Sequence, residues 1–428
     1  MKIVIVTNSV WNSQNSVGNS LTNIFSGMND LEIANICCNY GRPDSNFVKY
    51  HFQITEKSLI KHMFDHSYPT GRFISTESGY SDTNGKTGST VRFLKKHKTT
   101  LLFWTRTIIW KIGKWKSHEL ISFLDQFQPD IIFIPVYYSR YLNDINQFII
   151  DRYKIPAVGY VTDDVYTLNQ FSLSPLYWID RLTMRPVIRR ILNQCKSVFT
   201  ISEIQKKEYE SEFGDKFQIL TKCADFDDAL IPPLTQHNSV LRFLYTGNLG
   251  VGRADSLALL SKAIYEINKS GKKVVLDIYS NTPISEKKKK ALIFHDDCIL
   301  HDGVSFSIVK QLQAEADVLV HVEGLSWKNR KIVHQSFSTK IVDYLANRKC
   351  IFAIGNKDCA SIDYFVKNDS GIVVQNEEEI FDAINDLISN HELLDEYANK
   401  AWICGKKNHS KTSMQEMLRK TLVEAIES

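Results

Sequence analysis

Short apolar runs alternate with amphipathic segments of helical periodicity along most of this chain. Runs of this length and composition are typical of strands that are buried on both faces of a parallel sheet. Because helical segments separate them, the pattern predicts an α/β fold with doubly wound, Rossmann-like parallel sheets. The predicted strands lie at residues 2–6, 31–37, 130–135, 157–161, 197–201, 241–246, 273–279, 298–301, 316–322 and 350–354.

The chain has 428 residues, which is too long for one hydrophobic core, so two domains are expected. Residues 226–240 carry paired prolines and polar residues, which predicts a linker. We therefore expect an N-terminal domain over 1–225, a C-terminal domain over 241–405, and a helix over 406–428 that packs back toward the N-terminal domain. In such sheets the ligand binds beyond the carboxyl ends of the strands, which places it in the cleft between the domains.

Two segments depart from the regular alternation. Residues 40–90 are rich in Gly, Ser, Asn, Thr and Pro and lack periodicity, which predicts irregular structure. Residues 177–195 have helical character, and Pro186 within them predicts a kink or a break.

Composition and charge argue against several classes of protein. A net charge of +4 is too small to indicate a nucleic-acid partner. The N-terminal apolar run is too short for a signal peptide, and no stretch of about 18 apolar residues is present to span a membrane. The eight cysteines form no CxxC pair, which favours reduced thiols in a cytoplasmic protein.

A glycine-rich loop follows the first predicted strand of the C-terminal domain. In the sequence LYTGNLGVGR, the absence of Cβ atoms at Gly247, Gly250 and Gly252 allows backbone N–H groups to approach an anion. Arg253 adds a planar set of donors suited to phosphate oxygens. The alternative is an ordinary glycine-rich turn, because the spacing matches neither the dinucleotide fingerprint nor a Walker motif.

A second anion-binding element is predicted at the start of a later helix. Ser338 or Thr339 is a suitable N-cap, and Lys340 adds a full positive charge to the helix N-terminus. Asp343 lies about one turn beyond Thr339, where a carboxylate accepts hydrogen bonds from ribose hydroxyls. The alternative is a capped helix whose first-turn aspartate only complements the helix dipole.

At these residues the sequence resembles the GT-B-fold glycosyltransferases, of the retaining group 1 type found in bacterial polysaccharide assembly. The resemblance covers residues 241–355 best, in the segments YTGNLGVGR, AEADVLVHVEG and STKIVDYLANRKCIFA. The N-terminal half agrees in outline at MKIVIVTNS, SVGNSLTNI and SVFTISEIQKKEY. The resemblance implies two Rossmann-like domains that face each other across a cleft.

The resemblance also implies roles for individual residues. Arg253 and Lys340 would contact the donor diphosphate together with backbone N–H groups of Gly250, Ser338 and Thr339. Asp343 would hold the ribose. The base would lie beside His301, Gly303 and Val304, and the acceptor-side loop would include Asn15 and Gly18.

One position departs from the family pattern. The family has two glutamates eight positions apart, and these fall on Gln335 and Asp343. The first glutamate contacts the donor sugar in the family, whereas Gln335 carries no charge. Glu323, which precedes the insertion 324–336, is the other residue that would take this role.

Catalysis of glycosyl transfer requires a neutralised leaving diphosphate and an aligned acceptor hydroxyl. No convincing metal-binding DxD motif is present, so we expect neither a metal nor another cofactor, and protein cations would stabilise the leaving group. If the reaction inverts the anomeric centre, a carboxylate base is required, and Asp163 or Asp164 is the candidate. The alternative for this pair is a capping role in the following segment.

Residues 91–116 combine Lys, Arg and Trp with apolar residues and contain no acid. This composition fits the headgroup region of an anionic membrane, where a lipid-linked acceptor would be found. A core helix with solvated lysines at its edges fits equally well.

The sequence thus predicts a glycosyltransferase that acts on a nucleotide-sugar donor and a glycan or lipid-linked acceptor, with no nucleic-acid partner. A nucleotide-sugar epimerase of the same fold and a catalytically silent nucleotide-sugar-binding partner are the alternatives.

Overall fold

The structure is a computed structural model that describes residues 1–12, 15–44, 47–74, 100–234 and 239–428. Two sheets with helices on both faces form the described part, one of eight strands and one of six. The α/β architecture predicted from the sequence is therefore confirmed.

The N-terminal sheet has the strand order β4-β3-β2-β1-β5-β6-β7-β8. All neighbouring strands are parallel except β3 and β4. The strands are β1 (Lys2–Thr7), β2 (Glu32–Cys37), β3 (Tyr50–Ile54), β4 (Gly71–Ile74), β5 (Ile131–Pro135), β6 (Ala157–Val161), β7 (Cys195–Thr200) and β8 (Phe217–Ile219). The helices of this half are α1 (Ser16–Phe25), α2 (Glu56–Phe64), α3 (Thr100–Ile112), α4 (His118–Phe127), α5 (Arg140–Tyr153), α6 (Pro175–Gln194) and α7 (Glu203–Phe213).

Two expectations for this half are corrected: part of the stretch predicted to be irregular is regular, and the helix is not broken at Pro186. Residues 50–74 are regular, because β3, α2 and β4 lie within the stretch predicted to be irregular. Thr55 caps α2 with a reciprocal hydrogen bond to Ser58, which is a local signal that composition alone does not show. Helix α6 continues through Pro186. Burial of Met184, Val187 and Ile188 on its inner face offsets the hydrogen bond that proline cannot make.

The C-terminal sheet is entirely parallel, with the order β11-β10-β9-β12-β13-β14. Its strands are β9 (Leu241–Thr246), β10 (Val274–Ser280), β11 (Cys298–Asp302), β12 (Val318–Val322), β13 (Cys350–Ile354) and β14 (Ile372–Val374). The helices are α8 (Arg253–Asn268), α9 (Glu286–Leu292), α10 (Phe306–Glu315), α11 (Trp327–Val333), α12 (Lys340–Ala346), α13 (Ala360–Asn368), α14 (Glu377–Ser389), α15 (Glu392–His409) and α16 (Lys411–Glu427).

The chain passes between the two halves twice, and the two crossing segments lie side by side. Ala224 pairs with Ser410 in an isolated parallel bridge. Beside it, His409 is buried, and its ring nitrogens contact the hydroxyls of Thr221 at 2.7 Å and Tyr364 at 2.8 Å. Burial lowers the pKa of His409 to about 4, so the ring is neutral near pH 7.

Helix α16 returns to the N-terminal sheet after this junction. Leu418, Leu422 and Ala425 enter the apolar core formed by β1, β5 and α1, and Arg419 pairs with Asp30. Within the described ranges, no helix has both the length and the hydrophobicity that crossing a bilayer requires.

Candidate functional site

A cavity of about 360 Å³ opens at the carboxyl edge of the C-terminal sheet. This is the position that strand topology predicts for a ligand. Five residues proposed from the sequence line it, namely Gly247, Lys340, Asp343, Gly303 and Val304. The other lining residues are Thr246, Asn248, Tyr279, Ser280, Asn281, Thr282, Phe306, Val309 and Gln313.

Lys340 joins the glycine-rich loop to helix α12. Its Nζ donates to the carbonyl of Thr246 at 2.6 Å and lies 4.6 Å from the ring centroid of Tyr245. A Cβ atom at Gly247, which has φ +147°, would collide with this Nζ, so glycine is required for the approach. Burial, reinforced by the nearby Arg253, lowers the pKa of Lys340 to about 8.

Arg253 is held behind this ammonium group by β12. Its guanidinium donates to the carbonyl of Val322 at 3.2 Å and to the carboxylate of Glu323 at 2.8 Å. Glu323 is 1% exposed and also lies 3.5 Å from His321. Burial alone raises the pKa of Glu323, but the contacts with His321 and Arg253 outweigh it and hold the pKa below its ordinary value. Neither Arg253 nor Glu323 lines the cavity wall, so both act on the site through their charges, from behind Lys340.

Asp343 is paired with a residue that the sequence did not indicate. Lys222, which precedes the chain crossing at Ala224, reaches across the cleft to the Asp343 carboxylate at 2.5 Å. Its ammonium also lies 5.6 Å from the ring centroid of Phe306. The proposed ribose ligand is therefore oriented by a cation from the N-terminal half of the chain.

Gly303 and Asn281 meet in the cavity wall. The backbone N–H of Gly303 donates to Oδ1 of Asn281 at 3.0 Å, and a Cβ at Gly303 would collide with that amide. Val304 lines the wall beside them. His301 lies behind the wall, stacked on Tyr279 at 4.3 Å. It also contacts Asp277 at 2.8 Å.

Gln335 faces the N-terminal half. Its amide contacts Glu208, and its Oε1 accepts from Gln205 at 3.3 Å. The hydroxyl of Ser202 donates to the Gln335 carbonyl at 2.9 Å. The adjacent His334 contacts Glu208 at 2.8 Å, and this interaction raises the pKa of His334. Gln335 is buried among these groups and bridges the two halves of the chain.

Asp163 and Asp164 have different surroundings. The Asp164 carboxylate forms a buried ion pair with Arg181 at 2.7 Å and accepts from the N–H groups of Tyr166 and Thr167. These bonds organise the loop after β6. The alternative of capping a helix over 165–169 is wrong, because the structure has no helix there and Asp164 binds the backbone N–H groups of a loop instead. No described residue donates a hydrogen bond to the Asp163 carboxylate. Asp163 is exposed as a residue, but desolvation of its carboxyl group, reinforced by the nearby Asp164 charge, raises its pKa.

The remaining predicted residues have backbone or capping contacts. The Gly250 N–H donates to Oδ1 of Asn248 at 2.5 Å, and the Ser338 N–H donates to Oγ of Ser361 at 3.3 Å. Thr339 is the N-cap of α12 and makes no side-chain capping bond. Asn15 caps α1 through the N–H of Gly18.

Opposite the cavity, a polar network lies at the carboxyl edge of the N-terminal sheet. The Asn8 amide oxygen accepts from the Tyr141 hydroxyl at 2.8 Å and from Arg106 at 3.4 Å. Arg106 also pairs with Glu56, which accepts from Nε1 of Trp110 at 2.8 Å. These residues lie far apart in the sequence. Of them, only Asn8 is in a loop that the sequence indicated, because that loop follows the end of β1.

Across the described ranges, no group of three His, Cys, Asp or Glu side chains is placed to hold a metal ion. The eight cysteines are free and buried.

No protein-family model matches this sequence, and no curated protein matches it significantly. Solved structures match over almost the whole chain. HepE of Anabaena, in complex with UDP and glucose, is 12% identical at a TM-score of 0.61, with 99% of this chain and 100% of that chain covered. Sucrose-phosphate synthase of Thermosynechococcus elongatus is 10% identical at a TM-score of 0.61, with 99% and 98% covered. WaaG, a glycosyltransferase involved in lipopolysaccharide biosynthesis, is 11% identical at a TM-score of 0.56, with 97% and 98% covered.

The two facing parallel-sheet domains therefore form the GT-B fold, as the sequence resemblance implied. At these identities the likeness establishes the fold, while the chemistry of the site is argued from its own residues.

Proposed function

We propose that this chain is a glycosyltransferase that moves a sugar from a nucleotide-diphosphate-sugar to a hydroxyl of a glycan or lipid-linked acceptor. The observation that carries the proposal is the shared cavity wall of Lys340 and Asp343 at the carboxyl edge of the C-terminal sheet. An ammonium group and a carboxylate one helical turn apart suit the diphosphate and the ribose of one nucleotide. UDP is the proposed nucleotide, because it occupies the matched HepE structure.

The proposed reaction is metal-independent and retains the anomeric configuration. As the anomeric C–O bond breaks, negative charge develops on the diphosphate, and Lys340 with Arg253 stabilises it. The acceptor hydroxyl attacks on the same face, and the departing phosphate takes its proton. Asp163 has a carboxylate that is free among the described residues, and its proposed role is to orient the acceptor.

Binding of UDP measured by calorimetry tests the donor site. Lys340→Met and Asp343→Asn should each weaken UDP binding by about ten- to a hundredfold, since one charge-assisted bond contributes roughly 1.5–3 kcal/mol. Lys290→Met on α9, which is exposed and remote from the cavity, is the matched control. Unchanged affinity in both cavity variants would exclude this site.

Turnover tests the reaction itself. Purified protein should release UDP from a UDP-sugar when a matching acceptor is present, with EDTA added, and NMR of the product should show the anomeric configuration of the donor. An inverted product, or activity that EDTA abolishes, would contradict the proposed mechanism while leaving glycosyl transfer in place.

A second candidate function is a catalytically silent nucleotide-sugar-binding partner. Gln335 favours it, because the side chain at the position of the first family glutamate is bound to Gln205 and Glu208 instead of facing the cavity. Binding of UDP-sugars without hydrolysis or transfer across a broad acceptor panel would select this candidate.

The proposed setting is the assembly of a cell-surface polysaccharide in the cytoplasm. The likeness to WaaG supports the pathway, and the free buried cysteines fit a reducing compartment.

A further inference from the structure

An aromatic pair joins the two halves of the chain where the loop after β6 meets α11. Phe171 of that loop packs edge-on against Trp327 at the start of α11, with the ring centroids 5.5 Å apart. Trp327 is 55% exposed, so more than half of its surface is free to contact a ligand. Exposed aromatic rings of this kind are enriched in binding surfaces, because they offer a large rigid apolar face. We name these two rings and the adjacent Lys328 and Lys331 the aromatic platform.

Helix α11 also lies against the glycine-rich loop. A Cβ atom at Gly252 would collide with the Asn329 amide, and a Cβ at Gly324 would collide with the carbonyl oxygen of Val251. These close approaches pack the segment 324–336, an insertion relative to the family pattern, onto the loop that precedes α8. The platform therefore lies between the glycine-rich loop of the C-terminal half and the loop after β6 of the N-terminal half.

The loop after β6 connects the platform to the proposed acceptor site. Asp164 anchors this loop by accepting from Nε2 of Gln170 at 2.8 Å, and Oδ1 of Asn169 accepts from Nζ of Lys331. Asp163, whose proposed role is to orient the acceptor, precedes the phenylalanine of the platform by eight residues. Eight residues of extended chain reach at most ~28 Å. An oligosaccharide of several units that is held at Asp163 can therefore also contact the platform.

Positive charge borders the two rings. Nζ of Lys328 lies 5.1 Å from the ring centroid of Phe171, and Nζ of Lys331 lies 5.9 Å from that of Trp327. Within the described ranges, neither lysine is ion-paired with a carboxylate. In the adjoining loop, Asp164 is committed to its buried ion pair. The platform thus combines apolar ring faces with two uncompensated ammonium groups.

The carboxylates close to α11 are engaged by other cations. Asp358 pairs with Arg330 at 3.0 Å, and Glu208 contacts His334 at 2.8 Å. Asp163 remains as the carboxylate that the proposed function assigns to the acceptor hydroxyl. Sugar units with acidic groups match this distribution. Their C–H faces pack on the negative face of an aromatic ring, and their carboxylates or phosphates accept charge-assisted hydrogen bonds from lysine.

We propose that the aromatic platform binds sugar units of an acidic glycan acceptor, with the rings on Trp327 and Phe171 and the acidic groups on Lys328 and Lys331. The platform stands on its own contacts, whereas its role in acceptor binding rests on the proposed glycosyltransferase function. Single-stranded nucleic acid also combines rings with negative charge. The position beside the glycine-rich loop and the small net charge of +4 favour the glycan. Residues 91–99, which begin the segment predicted to face a membrane or to form a core helix, lie outside the described residues, and the proposal does not use that segment.

A glycan array with uronate-bearing, phosphate-bearing and neutral oligosaccharides tests the platform, with the full chain and UDP present. Wild-type protein should bind acidic glycans in preference to neutral ones, and the two acidic arms show which group it selects. Calorimetry then measures the affinity for the acidic glycan that is bound best. Trp327→Ala should weaken it at least about fivefold, whereas Trp327→Phe should keep most of it. The double variant Lys328→Gln, Lys331→Gln should weaken it about tenfold and should reduce its dependence on salt.

Two matched controls separate the platform from other exposed side chains. Phe381→Ala removes an aromatic ring that is 39% exposed on α14. The double variant Lys289→Gln, Lys290→Gln removes two exposed lysines of α9. Both controls should bind acidic glycans like the wild type.

Calorimetry with UDP on every variant shows that each is folded and keeps its donor site. Wild-type protein that binds UDP but no acidic glycan, or that prefers neutral glycans, would overturn this proposal and leave the proposed function in place. Binding of acidic glycans without binding of UDP would leave the platform as a glycan-binding surface and contradict the proposed function. Retention of a single-stranded oligonucleotide instead of glycans, or equal losses in a control and a platform variant, would also overturn the proposal.

Discussion

Under the proposed function, UDP binding should depend on pH through Lys340. Partial burial beside Arg253 lowers its pKa to about 8, so the free protein holds the ammonium form below that pH and loses it above. Because the diphosphate binds the ammonium form, affinity is present below about pH 8 and is lost as the pH rises through it. The protonated fraction falls from about 90% at pH 7 to about 10% at pH 9, which predicts about tenfold weaker binding.

Titration of Lys340 affects the free energy of unfolding in the opposite direction from UDP affinity. An unfolded lysine keeps its proton to about pH 10.4, so between about 8 and 10 the unfolded chain binds more protons than the folded chain. The contribution of Lys340 to stability therefore rises with pH in this window, and weaker UDP binding there does not reflect unfolding through this residue.

Calorimetric titration of UDP at several pH values from 7 to 9 measures this effect. Wild type and Lys290→Met should show the tenfold loss, whereas Lys340→Met should bind weakly with little dependence on pH across the range. A wild-type affinity that stays constant to pH 9, or a Lys340→Met variant with the wild-type slope, would refute the role assigned to the Lys340 ammonium.

The other predictions concern the loop, the cleft and the junction. Gly247→Ala should weaken UDP binding about tenfold by displacing the Lys340 ammonium; unchanged calorimetric affinity would contradict this. Arg181→Met should lower the free energy of unfolding in urea by about 3 kcal/mol, because it leaves the buried Asp164 carboxylate unpaired. Arg190→Met removes the half-exposed ion pair with Asp144 and should lower the free energy of unfolding by no more than about 1 kcal/mol. Equal losses in the Arg181 and Arg190 variants would argue against burial as the cause. His409 has a folded pKa of about 4, so stability should fall by about 3 kcal/mol as the pH drops from about 6.5 to 4. His409→Gln should flatten that slope, and an unaltered urea-unfolding profile would exclude this residue as the source.

Strand-end reasoning located much of the cavity at the carboxyl edge of the C-terminal sheet, because this reasoning depends on local patterns. The glycine-rich loop follows β9 and the proposed helix start precedes α12, so both meet at one edge of the sheet. Both predictions used patterns within a few residues along the chain. The sequence could therefore indicate Lys340 and Asp343 together, and the structure has both in the wall of one cavity.

The sequence did not predict the contacts between the two halves of the chain. Lys222 reaches Asp343 only because the domains face each other, and no periodicity in the sequence reports that approach. The same is true of Gln335, whose partners come from α7. Two adjacent residues also have different surroundings: Asp164 pairs with Arg181, whereas no described residue donates a hydrogen bond to the Asp163 carboxylate.

The position of α16 bears on the order in which this chain acquires its structure during synthesis. Leu418 and Leu422 complete an apolar core whose other members, such as Ile3 and Phe133, are made several hundred residues earlier. Domains generally fold as units as they leave the ribosome, starting from the N-terminal one. Here α1 covers part of the apolar face of the first sheet early, but α16 can cover the rest only after the C-terminal domain has been translated, so the N-terminal domain completes its core last.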